Sequence, residues 1–256
     1  MKSWVFSKTT KDFYQLDSNG DYVLDANGNR IQVAIPEGKS IKEEEIWIGD
    51  YKFKDINGDG KINADDRTFI GNPEPKFTFG ISNTFRYRDF DLNIFLNGVV
   101  GNKIYNYVRQ RWCNPMANNN MLAEVNNLAV VQLIDPNGGH TLDNMYVSNP
   151  AATICRLTPN NANSNNRMSD KFVEDGSYLR IKNISLGYTF PKKIIKKWNI
   201  ENFRLYVNVQ NLLTITGYDG YDPEIGAYNY DVTLKGIDWV RYPSQHIYTI
   251  GANITF

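Results

Sequence analysis

Residues 76–97 read KFTFGISNTFRYRDFDLNIFLN. Up to Tyr87 the odd positions are Phe77, Phe79, Ile81, Asn83, Phe85 and Tyr87, and the even ones Lys76, Thr78, Gly80, Ser82, Thr84 and Arg86. Successive side chains of a strand point to opposite faces, so one face here is aromatic and aliphatic and the other small and polar. Beyond Arg88-Asp89, Phe90, Leu92, Ile94 and Leu96 alternate with Asp91, Asn93, Phe95 and Asn97. The spacing predicts a hairpin of strands 76–87 and 90–99 joined by a two-residue turn.

The same alternation recurs three times downstream. Over 177–190, Leu179 and Ile181 lie on one parity and Ile184, Leu186 and Tyr188 on the other, a phase slip that a β-bulge explains. Pro191 ends that strand, and KKIIKKW (192–198) makes a basic turn, with an interfacial anchor as the less favoured reading. A fourth strand covers 202–212, with Phe203, Leu205, Val207 and Val209 on one face. In the fifth, 244–256, one row holds Tyr248, Ile250, Ala252, Ile254 and Phe256 and the other Gln245, Thr249, Gly251, Asn253 and Thr255, with Ile247 an exception.

Short connections fall at 88–89 and 191–201, and long ones at about 49–75, 101–176 and 213–243. Short turns at one end, long loops at the other and strands of about ten residues with an apolar outer row describe an outer-membrane barrel. A soluble sandwich, with the apolar rows against a second sheet, is the alternative. Five strands cannot close a barrel, whose practical minimum is about eight, so the chain reads as the C-terminal portion of a larger all-β, antiparallel up-and-down barrel. Residues 1–48 are an upstream strand and loop region without further assignment.

Composition agrees. The 256 residues carry 28 Lys plus Arg against 28 Asp plus Glu, and a chain without net charge lacks the basic surplus that nucleic-acid binding needs. No apolar run approaches the roughly 18 residues of a membrane-spanning helix, which leaves barrels open. The N-terminal MKSWVFSKTTKDF has no apolar core of a secretory signal, so either the protein stays inside or the chain starts partway through a longer one. Cys113 and Cys155 fall in an Asn-rich stretch without metal-like spacing and either pair or stand as separate thiols.

Four segments together resemble the SusC/RagA family of TonB-dependent outer-membrane transporters: GDYKFKDINGDGKINADDRTFIGNPEPKFTFGISNTFRYRDFDLNIFLNG (49–98), GSYLRIKNISLGYTFP (176–191), NFRLYVNVQNLLTITGYDGYDPEIG (202–226) and YPSQHIYTIGANITF (242–256). The resemblance implies the C-terminal part of a plug-filled barrel of about 22 strands. It further implies import of glycans, oligosaccharides or peptides across the outer membrane of a Gram-negative bacterium, beneath a SusD-like lipoprotein. Energy would come from TonB through an N-terminal region that this chain lacks. The rival is a soluble, secreted, Ca²⁺-dependent carbohydrate-binding β-module.

Three sets of residues are candidates for sites. DINGDGKINADD (55–66) places Asp55, Asn57, Asp59, Lys61 and Asp66 at positions 1, 3, 5, 7 and 12 of an EF-hand-type loop, with Gly60 at the sharp turn. Such a loop offers Ca²⁺ three side chains, the Lys61 carbonyl and a closing carboxylate. A turn that binds nothing is the bland alternative, and DSNGDYVLDANGN (17–29) needs no more than turn chemistry. Tyr248, Ile250, Ala252, Ile254 and Phe256 resemble the terminal signal by which barrels are assembled, and would face lipid. YDGYDPEIG (218–226) offers Tyr218, Tyr221, Asp222 and Glu224, with Tyr228 nearby, as a substrate or partner loop. A glycosidase pair at those carboxylates is disfavoured and a loop packed on its neighbour favoured. His140 and His246 are isolated, and no catalytic constellation is expected.

Overall fold

The structure is a computed structural model and describes residues 3–118, 120–158, 160–228 and 231–256. Its largest sheet has five antiparallel strands: β1 (Phe77–Tyr87), β2 (Phe90–Val100), β3 (Tyr178–Thr189), β4 (Asn202–Thr216) and β5 (Ile247–Thr255). Each pairs with its neighbours in the chain, an up-and-down meander. All five expected strands are present.

Register explains why the alternation is so regular. One row across the sheet runs Phe85, Leu92, Leu186, Val207, Ile250, each residue opposite the next. The adjacent row, on the other face, runs Arg86, Asp91, Gly187, Tyr206, Gly251. A one-residue slip in any strand would exchange these faces, so the pattern fixes the register. Four members of the apolar row, Phe85, Leu186, Val207 and Ile250, are exposed, Ile250 to 83%. Contiguous exposed apolar area of this extent marks a surface that meets something other than water.

The phase slip is a bulge at Lys182, where register shifts between Ile181 and Asn183 against both β2 and β4. Opposite it, Asn211 takes φ 53°, the left-handed region that Asn tolerates. Leu213 and Ile215 thereby return to the apolar face, opposite Ile181 and Leu179, and β4 continues to Thr216 rather than stopping at 212. β5 begins at Ile247 rather than 244, because Ser244 bonds Asp222 and not a neighbouring strand.

Glycines let large side chains cross the polar face. A Cβ on Gly187 would run into the Arg204 guanidinium, which reaches across β3 to a two-point bond with Asp91 on β2, at 2.9 and 2.5 Å. Gly251 likewise lies beneath the Tyr206 ring.

The chain divides into two compact units. The second, Gly71–Asn106 with Glu174–Phe256, holds the five-stranded sheet. The first comprises the residues up to Ile70 with Tyr107–Val173, so much of the long 101–176 connection is folded. It contains a helix, Tyr107–Trp112, and the paired strands Val131–Leu133 and Met145–Val147. Its core gathers Phe13, Trp47, Ile48, Phe53, Met145 and Ile154.

The Asn-rich stretch is structural there. Buried Asn165 donates to Asp50 Oδ1 (2.9 Å) and accepts from the Tyr51 amide (2.9 Å), while buried Asn163 donates to the Tyr51 carbonyl (2.7 Å). Arg156 forks onto the two Asp50 oxygens at 3.1 and 3.2 Å. Every member has partners, the condition under which a buried polar network specifies one arrangement.

Candidate functional site

The densest cluster of charged and hydrogen-bonding side chains in the second unit joins β3 to the 213–243 loop. Arg180 sits on the polar face of β3, opposite Thr214 of β4 and Asn97 of β2. Its guanidinium is fully buried and uses all three nitrogens. Nε donates to Thr214 Oγ1 (2.8 Å), Nη1 to Glu224 Oε2 (2.7 Å) and Ser244 Oγ (3.0 Å), and Nη2 to Asp222 Oδ1 (2.6 Å). Asp222 also accepts from the amides of Glu224 (2.9 Å) and Ser244 (2.8 Å). Lys182, released by the bulge, reaches Glu224 at 3.2 Å. Two cations thus face two carboxylates.

Burial works against the Asp222 charge, but the Glu224 and Ser244 amides, the Ser244 hydroxyl and Arg180 outweigh it and hold the carboxyl at about 2. Tyr218, also buried, donates to Asp238 Oδ2 (2.6 Å), and burial followed by this bond raises its phenol. Asp238 belongs to the short strand Ile237–Asp238, parallel to Lys103–Asn106. Of the residues read from sequence in this loop, Tyr218 and Asp222 are therefore inside the fold, Glu224 is half-buried on Arg180, and Tyr221 is 60% exposed. The Tyr228 side chain lies outside the described residues. Both carboxylates are spent on one guanidinium. Arg180, Thr214, Asp238 and Ser244 escaped the sequence reading, although an Arg on the polar parity of a strand was a visible signal.

The 55–66 loop closes on itself. Asp55 accepts from the amides of Gly58 (2.6 Å) and Gly60 (2.9 Å), both at positive φ, and Asp59 from Lys61 (2.9 Å). Asn57 donates to Asp59 (3.2 Å). Asp66, fully buried, accepts from Ile56 (2.7 Å) and Asn63 (2.8 Å). Burial raises its carboxyl, yet those amides bring it below the usual range, and the Asp55 carboxyl lies against it. Among the described residues no three His, Cys, Asp or Glu side chains group as a metal site.

The row Tyr248, Ile250, Ala252, Ile254, Phe256 is exposed along its length, on the face that carries Phe203, Leu205 and Val207. Cys113 and Cys155 are buried free thiols. Burial, and for Cys113 the neighbouring Glu124 carboxylate, pushes each up to about 12. Among the described residues no helix is long and apolar enough to cross a membrane, which does not bear on barrels.

No family model matches the chain. Among curated proteins, TonB-dependent receptor P3 of Formosa agariphila is 34% identical over 95% of this chain and 22% of its own length. TonB-dependent receptor SusC of Bacteroides thetaiotaomicron is 27% identical over 80% of the chain and 17% of its own. The chain spans about a fifth of the curated relatives it matches. Among solved structures, the RagAB peptide transporter aligns with TM-score 0.61 and 20% identity over 92% of this chain and 24% of its own. The closed-closed state of the RagAB peptide importer aligns with TM-score 0.57 and 19% identity over all of this chain and 22% of its own. The meander with one exposed apolar face has the fold of part of that barrel. Sequence and fold agree, and the chain is related over nearly its whole length to TonB-dependent receptors of the SusC/RagA type.

Proposed function

We propose that this chain is the C-terminal barrel segment of a TonB-dependent outer-membrane importer of oligosaccharides or peptides, working with a SusD-like surface lipoprotein. The observation that carries the reading is the row Phe85–Leu92–Leu186–Val207–Ile250, an apolar band across five strands whose opposite face is polar. Either a bilayer or a second sheet could cover such a band, and the likeness to TonB-dependent receptors favours the bilayer. On that polar face the Arg180 cluster fixes the 213–243 loop against the wall. Relatives named as receptors, rather than enzymes, support transport.

Fractionated cells blotted with an antibody against residues 101–176 test this. A band several times heavier than 29.4 kDa in the outer membrane is expected. A soluble or secreted band at that mass would replace the transporter by the free-standing carbohydrate-binding module. Growth of a deletion strain on oligosaccharide or on peptide as sole carbon source then separates the substrate classes.

A second reading concerns the 55–66 loop, as a calcium site using Asp55, Asn57, Asp59, the Lys61 carbonyl and Asp66. The adjacent Asp55 and Asp66 carboxyls favour it, because two carboxyls side by side offer a hard cation the start of an oxygen cage. Protease cleavage of the loop in the full-length receptor should slow with Ca²⁺ over EGTA, and Asp66→Ala should abolish the difference. Equal cleavage in both conditions in the native receptor would eliminate the cation.

A further inference from the structure

Between β3 and β4, at the end where connections are short, Lys192–Ile195 forms an α-turn continued by a 3₁₀ turn, Lys196–Trp198. Ile195 is buried and pins the turn, while Ile194 and Trp198 are exposed. Lys192, Lys193, Lys196 and Lys197 are four cations in six residues. Among the described residues none of them forms an ion pair; the lysines that do are elsewhere. Lys192 with Lys196, and Lys193 with Lys197, are four apart, the spacing at which like charges repel across a helical turn. So concentrated a charge, in a chain of zero net charge, favours an external anion.

A cleft of about 760 Å³ opens beside the turn, lined by Lys192, Lys196, Asn199, Glu201, Asn202 and Phe256 among others. Glu201 and, at the end of this chain, the Phe256 carboxylate are the acidic groups on its wall, and the four lysines of the turn outnumber them. Phe256 is 80% exposed and follows Ile254 on the apolar face. The basic cleft and the apolar row therefore meet at one rim. Lysines beside an exposed Trp and aliphatic residues are the chemistry of a segment seated where headgroups give way to acyl chains.

We propose that this turn and cleft bind the phosphate of an anionic phospholipid headgroup, with Lys192 and Lys196 as the cations on the phosphate and Trp198 and Phe256 at the acyl boundary. The inference rests on the membrane-barrel reading. Charge complementarity and continuity with the apolar face select lipid over a soluble occupant.

The test uses the full-length receptor reconstituted in vesicles containing phosphatidylglycerol or phosphatidylcholine brominated on the acyl chain. The Trp198 signal is taken as the difference between the native receptor and Trp198→Phe. Brominated phosphatidylglycerol should quench it about fivefold more than brominated phosphatidylcholine at equal mole fraction. Lys192→Gln with Lys196→Gln should erase that preference while the barrel keeps its heat-modifiable gel mobility, and high salt should erase it in the unmutated receptor. Equal quenching by the two lipids would overturn the proposal. So would loss of the preference on replacing chloride by inorganic phosphate at constant low ionic strength, which would identify a soluble phosphate site. Failure to insert into either vesicle would count against the barrel reading itself.

Discussion

Arg180 and Asp222 meet at 2.6 Å with both side chains almost wholly removed from solvent, one on a strand and the other on the loop after the next strand. A buried pair is not itself a large net gain, since both ions lose their hydration. Its consequence lies in what breaking it costs. Arg180→Met would leave Asp222 buried without its cation, and removing one partner of such a pair costs about 3–5 kcal/mol. Urea unfolding of the full-length barrel in detergent should show a lower midpoint, and protease should cut within 213–243 sooner. An unchanged midpoint and cleavage rate would mean that Arg180 does not hold this loop.

Acid should release the same loop. The folded Asp222 carboxyl, at about 2, lies below its unfolded value near 4. A depressed carboxyl contributes stability that is fully present above the unfolded value and is lost as pH falls through the folded one. Asp175 adds to this, held at about 2 mainly by the Ser177 hydroxyl and amide. The protection factors for hydrogen exchange at the Glu224 and Ser244 amides, which donate to Asp222, should hold above about pH 4 and fall between there and pH 2. Protection that is flat across that window would contradict the Asp222 bonds.

The two faces of β5 should respond differently to charge. Ile250→Arg near a bilayer midplane should cost about 2–4 kcal/mol, whereas Asn253→Gln on the polar row should cost little. Folding yields of the full-length receptor into vesicles measure this, and equal tolerance at the two positions would remove the lipid-facing assignment.

The thiols should be inert in the folded protein. Burial holds Cys113 and Cys155 at about 12, so the reactive thiolate is scarce at pH 8. Iodoacetamide should label neither in the native receptor and both after denaturation without reductant. Failure to label after denaturation would show that the two are bridged.

Strand number, order and facing were legible because a strand sorts its side chains by parity, and a half-polar sheet writes that parity into the chain. Even the interruption in β3 was readable, since Leu179 and Ile181 could share a face with Leu186 only through an inserted residue, now identified as Lys182. In the sequence reading β4 ends at 212, where the long polar connection begins. Asn211 at φ 53° in fact lets the strand run on to Thr216.

The 101–176 stretch shows the opposite case. Its Asn, Pro and Gly content reads as loop, yet Asn163 and Asn165 are buried partners of Asp50 and Tyr51, more than a hundred residues away in sequence. No local period encodes a hydrogen bond between such distant groups. Likewise YDGYDPEIG displayed Asp222 and Glu224 without revealing that Arg180 would claim both.

The sequence by itself determined the meander, its two faces and its kinship with TonB-dependent receptors, because these depend on alternation and on local motifs. Only the tertiary structure decided which polar side chains are spent inside the fold. Arg180 with Asp222 and Glu224, Tyr218 with Asp238, and Arg204 with Asp91 over Gly187 each join residues from different strands or loops. The physical reason is that a buried charge or hydroxyl must find a partner in space, wherever along the chain that partner lies.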